Sequence, residues 1–252
     1  MSFASDVRGE LARVPVTDAC CARSELVSAL LCSGGIAWRG KGRYAVTVTA
    51  AEAAIVRRYF GLLKRFYGMT GQIRTLSGGG LNSQTRYQLV APEAESPALL
   101  EVLGLLDEAA LFGVRQEPPE GLTRYSCCKK AFVRAAFMMC GAVSHPEKGY
   151  HIEFAAPTEA LADFIAAELT EFDIEARQVA RKSRQVVYLK RAEQISDLLS
   201  LLGASAAMLA FENIRVKKEV SNRVNRQMNC DSSNITRVMN AASASVGAAI
   251  SM

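Results

Sequence analysis

The chain repeats itself at long range. Cys20-Cys21-Ala22-Arg23-Ser24-Glu25 opens an apolar stretch that closes on Ser33-Gly34-Gly35-Ile36. Cys127-Cys128-Lys129-Lys130 opens a second one 107 residues later, and it closes on Cys140-Gly141-Ala142-Val143. Without a gap, Cys20 falls on Cys127, Cys21 on Cys128, Ala29 on Ala136 and Gly34 on Gly141. Tyr44-Ala45-Val46-Thr47-Val48 is answered by Tyr150-His151-Ile152-Glu153-Phe154, and residues 99–106 by 195–202. A unit of roughly a hundred residues is too long for a solenoid repeat. It implies a duplicated half-domain whose two copies pack about a pseudo-twofold axis.

Hydropathy patterning gives both copies the same element order. Residues 2–13 predict a short helix with Phe3, Val7 and Leu11 on one face, ended by Pro15. Residues 25–33 are apolar nearly all round and predict a buried helix. A hairpin follows (36–38 with 43–49), then an amphipathic helix (52–68), a second hairpin (72–76 with 86–90) around Gly78-Gly79-Gly80-Leu81-Asn82-Ser83, and a helix (97–106). The second copy predicts a buried helix (129–140), a hairpin (142–144 with 150–155), a helix (158–172), a hairpin (175–180 with 185–190) and a last helix (193–202). Each copy reads α-β-β-α-β-β-α. The fold class is therefore α+β, with two antiparallel four-stranded sheets, each backed by helices on one side. Pro118-Pro119-Glu120-Gly121 is the linker, so a first domain spans 1–205 with halves 1–117 and 122–205.

Beyond residue 205 the pattern changes to a helical linker, 206–252, with expected helices 206–211, 216–228 and 233–244 separated by short polar turns. Residues 241–252 carry no charge and no cap, as if the chain stopped inside a helix. Between Asn213 and Asn240 lie six cations, Arg215, Lys217, Lys218, Arg223, Arg226 and Arg237, against Glu219 and Asp231, a net +4 within a chain of +5. Such a concentration suits phosphate contact as well as a solvated face. The tip Arg39-Gly40-Lys41-Gly42-Arg43 and the cations Arg74, Arg86, Lys182, Arg184 and Lys190 are further candidates for meeting phosphates.

Several classes are excluded by what is missing. No run of 18 apolar residues occurs and the first residues carry Asp6, Arg8 and Glu10, so a membrane span and a signal peptide are not expected. Seven cysteines without framework spacing fit a reducing, cytoplasmic compartment. Zinc prefers Cys-x₂₋₄-Cys, whereas adjacent residues on a helix diverge by about 100°. Cys20-Cys21 and Cys127-Cys128 are therefore expected to be buried thiols, with metal or redox roles as the alternative and no metal or other cofactor assigned. His145 and His151 have no identifiable nucleophile or acid partner. The Gly78-Gly79-Gly80 segment lacks the lysine of a phosphate loop.

Two copies of α-β-β-α-β-β-α, each opened by a small-residue helix that ends in Gly, resemble the LAGLIDADG homing endonuclease fold. The resemblance implies that residues 26–34 and 133–141 form the central helix pair, with Ala29/Ser33 and Ala136/Cys140 on the seam. It also implies an acidic metal ligand beside each final Gly, and those positions hold Ser33 and Cys140. A hard cation needs oxygen ligands and cleavage of this kind needs the metal, so no catalysis is expected. The whole chain resembles the WhiA sporulation and cell-division regulators more closely. The resembling residues include Ser2-Phe3-Ala4-Ser5, Phe137-Met138-Met139-Cys140-Gly141, Tyr188-Leu189-Lys190, Phe211-Glu212-Asn213-Ile214-Arg215 and Asn222-Arg223-Val224-Asn225-Arg226.

That resemblance implies a cytoplasmic, nucleoid-associated, DNA-binding transcriptional regulator of cell division and sporulation, with DNA as partner and, in actinobacteria, a WhiB-type iron–sulfur protein as a second one. Family members carry a C-terminal helix-turn-helix domain, for which 252 residues leave no room. The alternative is a protein- or small-ligand-binding module with little DNA contact. A neutral open sheet surface would favour this alternative, and a basic one DNA.

Overall fold

The structure, a computed structural model, describes residues 2–33, 35–77, 85–107 and 109–250, with the backbone alone at 111 and 241–250. Gly34, the glycine-rich tip 78–83 and the last two residues lie outside the described residues, as do the side chains of the uncharged run from 241. The chain divides into two units, Met1–Leu209 and Ala210–Met252.

The first copy runs α1 (Phe3–Leu11), α2 (Ala19–Ser33), β1 (Ile36–Gly40), β2 (Arg43–Ala50), α3 (Ala53–Tyr67), β3 (Gln72–Leu76), β4 (Arg86–Val90) and α4 (Ser96–Leu103). The second runs α5 (Ser126–Cys140), β5 (Gly141–Val143), β6 (Ile152–Ala156), α6 (Glu159–Thr170), β7 (Arg177–Arg181), β8 (Arg184–Leu189) and α7 (Ala192–Leu202), and α8 (Ser205–Ile250) follows. The sheet orders are β1-β2-β4-β3 and β5-β6-β8-β7, one order used twice, with every neighbouring pair antiparallel. The duplication read from the sequence is thus a duplication of topology.

Each sheet is buried on one face only. In β2, Tyr44, Val46, Val48 and Ala50 are buried and alternate with half-buried Ala45, Thr47 and Thr49. Val48 pairs with Leu89, which carries the same apolar face into β4. In the second sheet Ile152, Phe154 and Ala156 take that role, with Phe154 opposite Val187. Helices α3 and α4 back the first sheet, and α5 and α6 the second. Fully burying one such Val, Leu or Phe contributes about 1.5–3 kcal/mol.

The two apolar helices α2 and α5 form the centre. Ser24 Oγ donates to the Cys128 carbonyl and Ser28 Oγ to that of Phe132, both at 2.8 Å. Moving four residues along α2 moves the partner four along α5, so the helices run parallel. Ala22, Ala29, Ala135 and Ala136 have no exposed surface, which permits close backbone approach along the seam. Both helices begin earlier than the patterning predicts, at Ala19 and Ser126 rather than 25 and 129. Nothing between residues 19 and 24 breaks a helix, and the two cysteine pairs therefore sit inside the first turns.

Past α2 the chain must turn sharply into β1. Gly35 accepts the Thr47 N–H at 2.7 Å, and a Cβ there would stand 1.9 Å from the Thr47 carbonyl oxygen. Only glycine fits at this close approach.

A buried charge cluster ties the halves together. Glu25, on α2, is fully buried. Arg58 from α3 grips its carboxylate with two bonds of 2.6 and 2.7 Å, and Arg134 from α5 adds a third of 3.0 Å. Arg58 also donates to the Ala12 and Val14 carbonyls, and Arg134 to that of Leu202. Burial opposes the charge of Arg58, but the hydrogen-bonded Glu25 carboxylate outweighs it and raises the pKa of the guanidinium.

The tail departs from expectation. Three helices with polar turns were expected, whereas α8 is one helix of 46 residues. No Pro or Gly occurs between Ser205 and Gly247. The polar runs Asn229-Cys230-Asp231-Ser232-Ser233 and Asn213 cost at most about 0.7 kcal/mol per residue in a helix, too little to break it. The first turn is held by Glu10, whose carboxylate accepts the Ala206 and Ala207 N–H groups at 2.8 and 3.0 Å.

Candidate nucleic-acid interface

Strand alternation sends one set of side chains of each sheet away from the helices. On the first sheet that set includes Arg43, Thr47, Thr49, Arg74, Arg86 and Gln88, fixed by the pairings Thr49↔Gln88 and Arg74↔Gln88. On the second it includes Glu153, Arg177, Arg181, Arg184 and Tyr188, through Glu153↔Tyr188, Arg177↔Tyr188 and Arg181↔Arg184. The eight strands together carry seven arginines, counting Arg39, and a single carboxylate, Glu153. Six of those arginines lie on the open faces. Glu153 is itself engaged, 2.9 Å from His151 Nε2 and 3.5 Å from Arg181. Among the strand residues, both open faces therefore carry more arginine than carboxylate.

The expected contact residues fall into three groups. Arg39, Lys41 and Arg43 are exposed at the β1–β2 turn, where Gly40, Lys41 and Gly42 all have positive φ. Arg43 lies 4.0 Å from Glu93, a loose pair between exposed side chains. Lys182 is exposed at the β7–β8 turn and Arg184 at the start of β8 on the open face, where it donates to the Ala155 carbonyl at 2.9 Å. Lys190 extends over the Tyr188 ring and, with Arg177 and Arg191, lines a surface groove of about 350 Å³. Sequence reasoning passed over Arg177 and Arg181, although their spacing of four along an alternating strand was the available signal.

The third group lies on α8 within the second unit. Lys217, Arg223 and Arg226 are exposed, whereas Arg215 and Lys218 are half-buried. Arg215 is paired with Glu212 at 2.8 Å and Glu219 at 3.5 Å, which lowers its availability to a phosphate. Arg215, Arg226 and Arg237 recur every 11 residues, which is close to three helical turns and puts them on one side of α8. Lys217 lies about 100° from Lys218 and about 180° from Arg226 around the helix, so the six cations do not form one stripe.

At the C-terminal ends of α2 and α5 are the positions a homing endonuclease would use for metal. Ser33 and Cys140 are half-buried there, and Ser33 Oγ, where it is enclosed, has no hydrogen-bond partner. The adjacent Cys32 thiol hydrogen bonds Cys140, and this contact together with burial pushes its pKa well above 9.0, with Ser28 and Arg184 acting the other way. A hydroxyl and a thiol, Ser33 and Cys140, thus stand where paired carboxylates would hold a hard cation.

The model of the WhiA N-terminal LAGLIDADG-like domain matches residues 19–106, and that of the WhiA LAGLIDADG-like domain residues 129–221. The probable cell division protein WhiA of Alkaliphilus metalliredigens is 36% identical over 243 residues, covering 96% of this chain and 77% of that protein. The chain belongs to the WhiA family. The probable cell division protein WhiA of Syntrophomonas wolfei is also 36% identical, over 245 residues, with 96% and 77% covered. Among solved structures, full-length DUF199/WhiA from Thermatoga maritima superimposes with a TM-score of 0.71 at 19% identity, covering 95% of this chain and 75% of that one. I-DmoI in complex with DNA and Mn gives 0.50 at 14% identity, covering 74% and 98%. The WhiA fold here is thus a LAGLIDADG pseudo-dimer, as the resemblance implied. Among the described residues no helix is long and apolar enough to cross a membrane.

Proposed function

We propose that this WhiA-family chain is a non-catalytic DNA-binding regulator acting in cell division and sporulation, and that DNA lies along the open faces of its two sheets. The observation that carries this reading is the arginine count: six arginines on the open faces against one carboxylate that is already paired. Arg39, Lys41 and Lys182 would extend the phosphate-contacting surface at the hairpin tips, and Lys217, Lys218, Arg223 and Arg226 on α8 would offer phosphate contacts of their own. Phosphate contacts position a protein without specifying sequence. Binding is therefore expected near micromolar or weaker at physiological salt, with log K falling by about 0.9 per phosphate contact for each decade of salt.

Fluorescence anisotropy with duplexes of unrelated sequence, at several salt concentrations, tests this. Replacing Arg74, Arg86, Arg177, Arg181 and Arg184 by Gln is expected to weaken binding to all duplexes alike and to flatten the salt slope. Absence of wild-type binding at low salt, or a variant that binds as the wild type does, would refute the assignment.

A second reading, as a protein-docking module, has one observation in its favour. Val216, Val220, Val224 and Met228 recur every four residues along α8 and are each at least half exposed. In actinobacteria the protein partner that the family resemblance implies is a WhiB-type iron–sulfur protein. Salt-independent co-elution with a partner, together with negligible DNA affinity, would favour this reading.

A further inference from the structure

Each vicinal pair splits into one exposed and one buried thiol, yet the four come together across the seam. Cys20 and Cys21 occupy the first turn of α2, and Cys127 and Cys128 that of α5. Because the helices are parallel, both first turns meet at the same end of the seam, and all four Sγ atoms lie within 4.8 Å of one another. No other group of three or more His, Cys, Asp or Glu ligand atoms converges in this way among the described residues. Cys21 and Cys128 are buried, while Cys20 and Cys127 are exposed.

We propose that Cys20, Cys21, Cys127 and Cys128 form a tetrathiolate zinc site that joins the first turns of α2 and α5 across the pseudo-twofold axis. A tetrahedron with Zn–S bonds of about 2.3 Å has sulfurs about 3.8 Å apart. Sulfurs within 4.8 Å of one another exceed that spacing by about 1 Å at most. The space between them is too small for a cluster of several irons and sulfides, so one ion is the fitting occupant. Four protein ligands leave no open position, which makes the site structural.

Electrostatics points the same way. Two parallel helices put two N-termini side by side, each carrying roughly half a positive charge and unbonded N–H groups, an arrangement that is unfavourable on its own. Zn²⁺ with four thiolates has a net charge of −2 and compensates both. The first turns themselves contain no acidic residue, and only α2 has one immediately before it, Asp18. Without metal, burial and the contacts with Cys127 and the other thiols hold Cys21 protonated, and burial with the Cys20 contact raises Cys128 to about 12. Hydrogen bonding from Cys21 lowers the pKa of exposed Cys127. Each thiol releases its proton to water as zinc binds. A structural role for all four thiols also accounts for their alignment in the repeat without a gap.

The test uses the full 252-residue chain, reduced and chelator-stripped under anaerobic conditions, then titrated with Zn²⁺ against a chromophoric chelator and separately with Co²⁺. The expected result is about one equivalent bound per chain, the visible bands of tetrahedral thiolate cobalt, and a rise in Tm on zinc addition. Replacing the exposed pair, Cys20→Ser with Cys127→Ser, leaves the buried packing in place, and circular dichroism verifies the fold. Uptake is expected to fall below about a tenth of an equivalent in this variant, and to persist in Cys140→Ser and Cys230→Ser. Negligible uptake by the reduced wild-type chain would overturn the proposal, as would unchanged uptake by the Cys20→Ser/Cys127→Ser variant. Disulfides among the four cysteines that persist in reductant and exclude zinc would overturn it as well.

Discussion

Replacing Glu25 by Ala should be among the most destabilising single changes in this domain. The substitution removes three hydrogen bonds of 2.6–3.0 Å between charged groups. Such bonds contribute about 1.5–3 kcal/mol each, a gross loss of roughly 4–9 kcal/mol. The orphaned guanidiniums are buried, with 6% and 12% of their side-chain surface exposed, but each keeps at least one backbone carbonyl acceptor. Removing one member of a buried ion pair typically costs about 3–5 kcal/mol, and the remaining acceptors place the expectation near 4 kcal/mol. For a domain of this size each kcal/mol moves Tm by about 2–4 °C, so a drop of about 12 °C is expected by calorimetry or circular dichroism. Replacing all three charges together (Glu25→Leu, Arg58→Met, Arg134→Met) should recover most of the loss, because no unpaired charge remains. A single-substitution cost below about 1 kcal/mol would refute the claim that this cluster joins the halves.

Gly35→Ala is expected to cost more than about 2 kcal/mol, since backbone on both sides must move to admit a Cβ; urea denaturation at an unchanged m-value measures it. Stability should decline in alkaline solution. Burial raises Tyr67 from 10.0 to about 12 and holds Tyr59 well above 10.0, and Cys32 stands well above 9.0 through its Cys140 contact and burial. Their contribution is fully present below the unfolded values of 9–10 and is lost as pH rises toward the folded ones, so Tm of the reduced chain should hold to about pH 9 and then fall. A Tm independent of pH up to 11 would contradict this. Incubation with supercoiled plasmid and Mg²⁺ or Mn²⁺ should leave the DNA intact. Cleavage abolished by a substitution at Ser33 or Cys140 would show that the site is catalytic after all.

Much of this fold was legible because the duplication doubles every signal. Alternation in 43–50 and helical spacing in 53–67 each occur with a counterpart, and β3 and β4 begin and end where the patterning puts them. Side-chain chemistry at the seam was less legible. Residues 25–33 read as a buried helix, but the partners of Glu25, Arg58 and Arg134, lie 33 and 109 residues away and are not marked by any local pattern. The cysteine pairs were read on one helix at a time, where a 100° divergence is correct. Their convergence depends on two helices running parallel, which local spacing does not encode. In the tail, clustered Asn and Ser read as turns, although those residues weaken a helix without ending it.

The two halves share a topology but are no longer interchangeable at their contact. The repeat sets Ser24, Glu25, Val27 and Ser28 of α2 opposite Ala131, Phe132, Arg134 and Ala135 of α5. Ser24 and Ser28 donate across the seam and the alanines at their counterparts do not, while Glu25 receives Arg134 from the other side. Two first halves together would bring two buried carboxylates to the axis without Arg134. Two second halves would bring two arginines with no carboxylate. Only the unlike pairing gives Arg134 a carboxylate and Glu25 its third hydrogen bond, so a chain cut at 118–121 would reassemble as a one-to-one heterodimer. The intact polypeptide is that heterodimer made covalent, free to evolve different surfaces on its two halves while its centre keeps them matched.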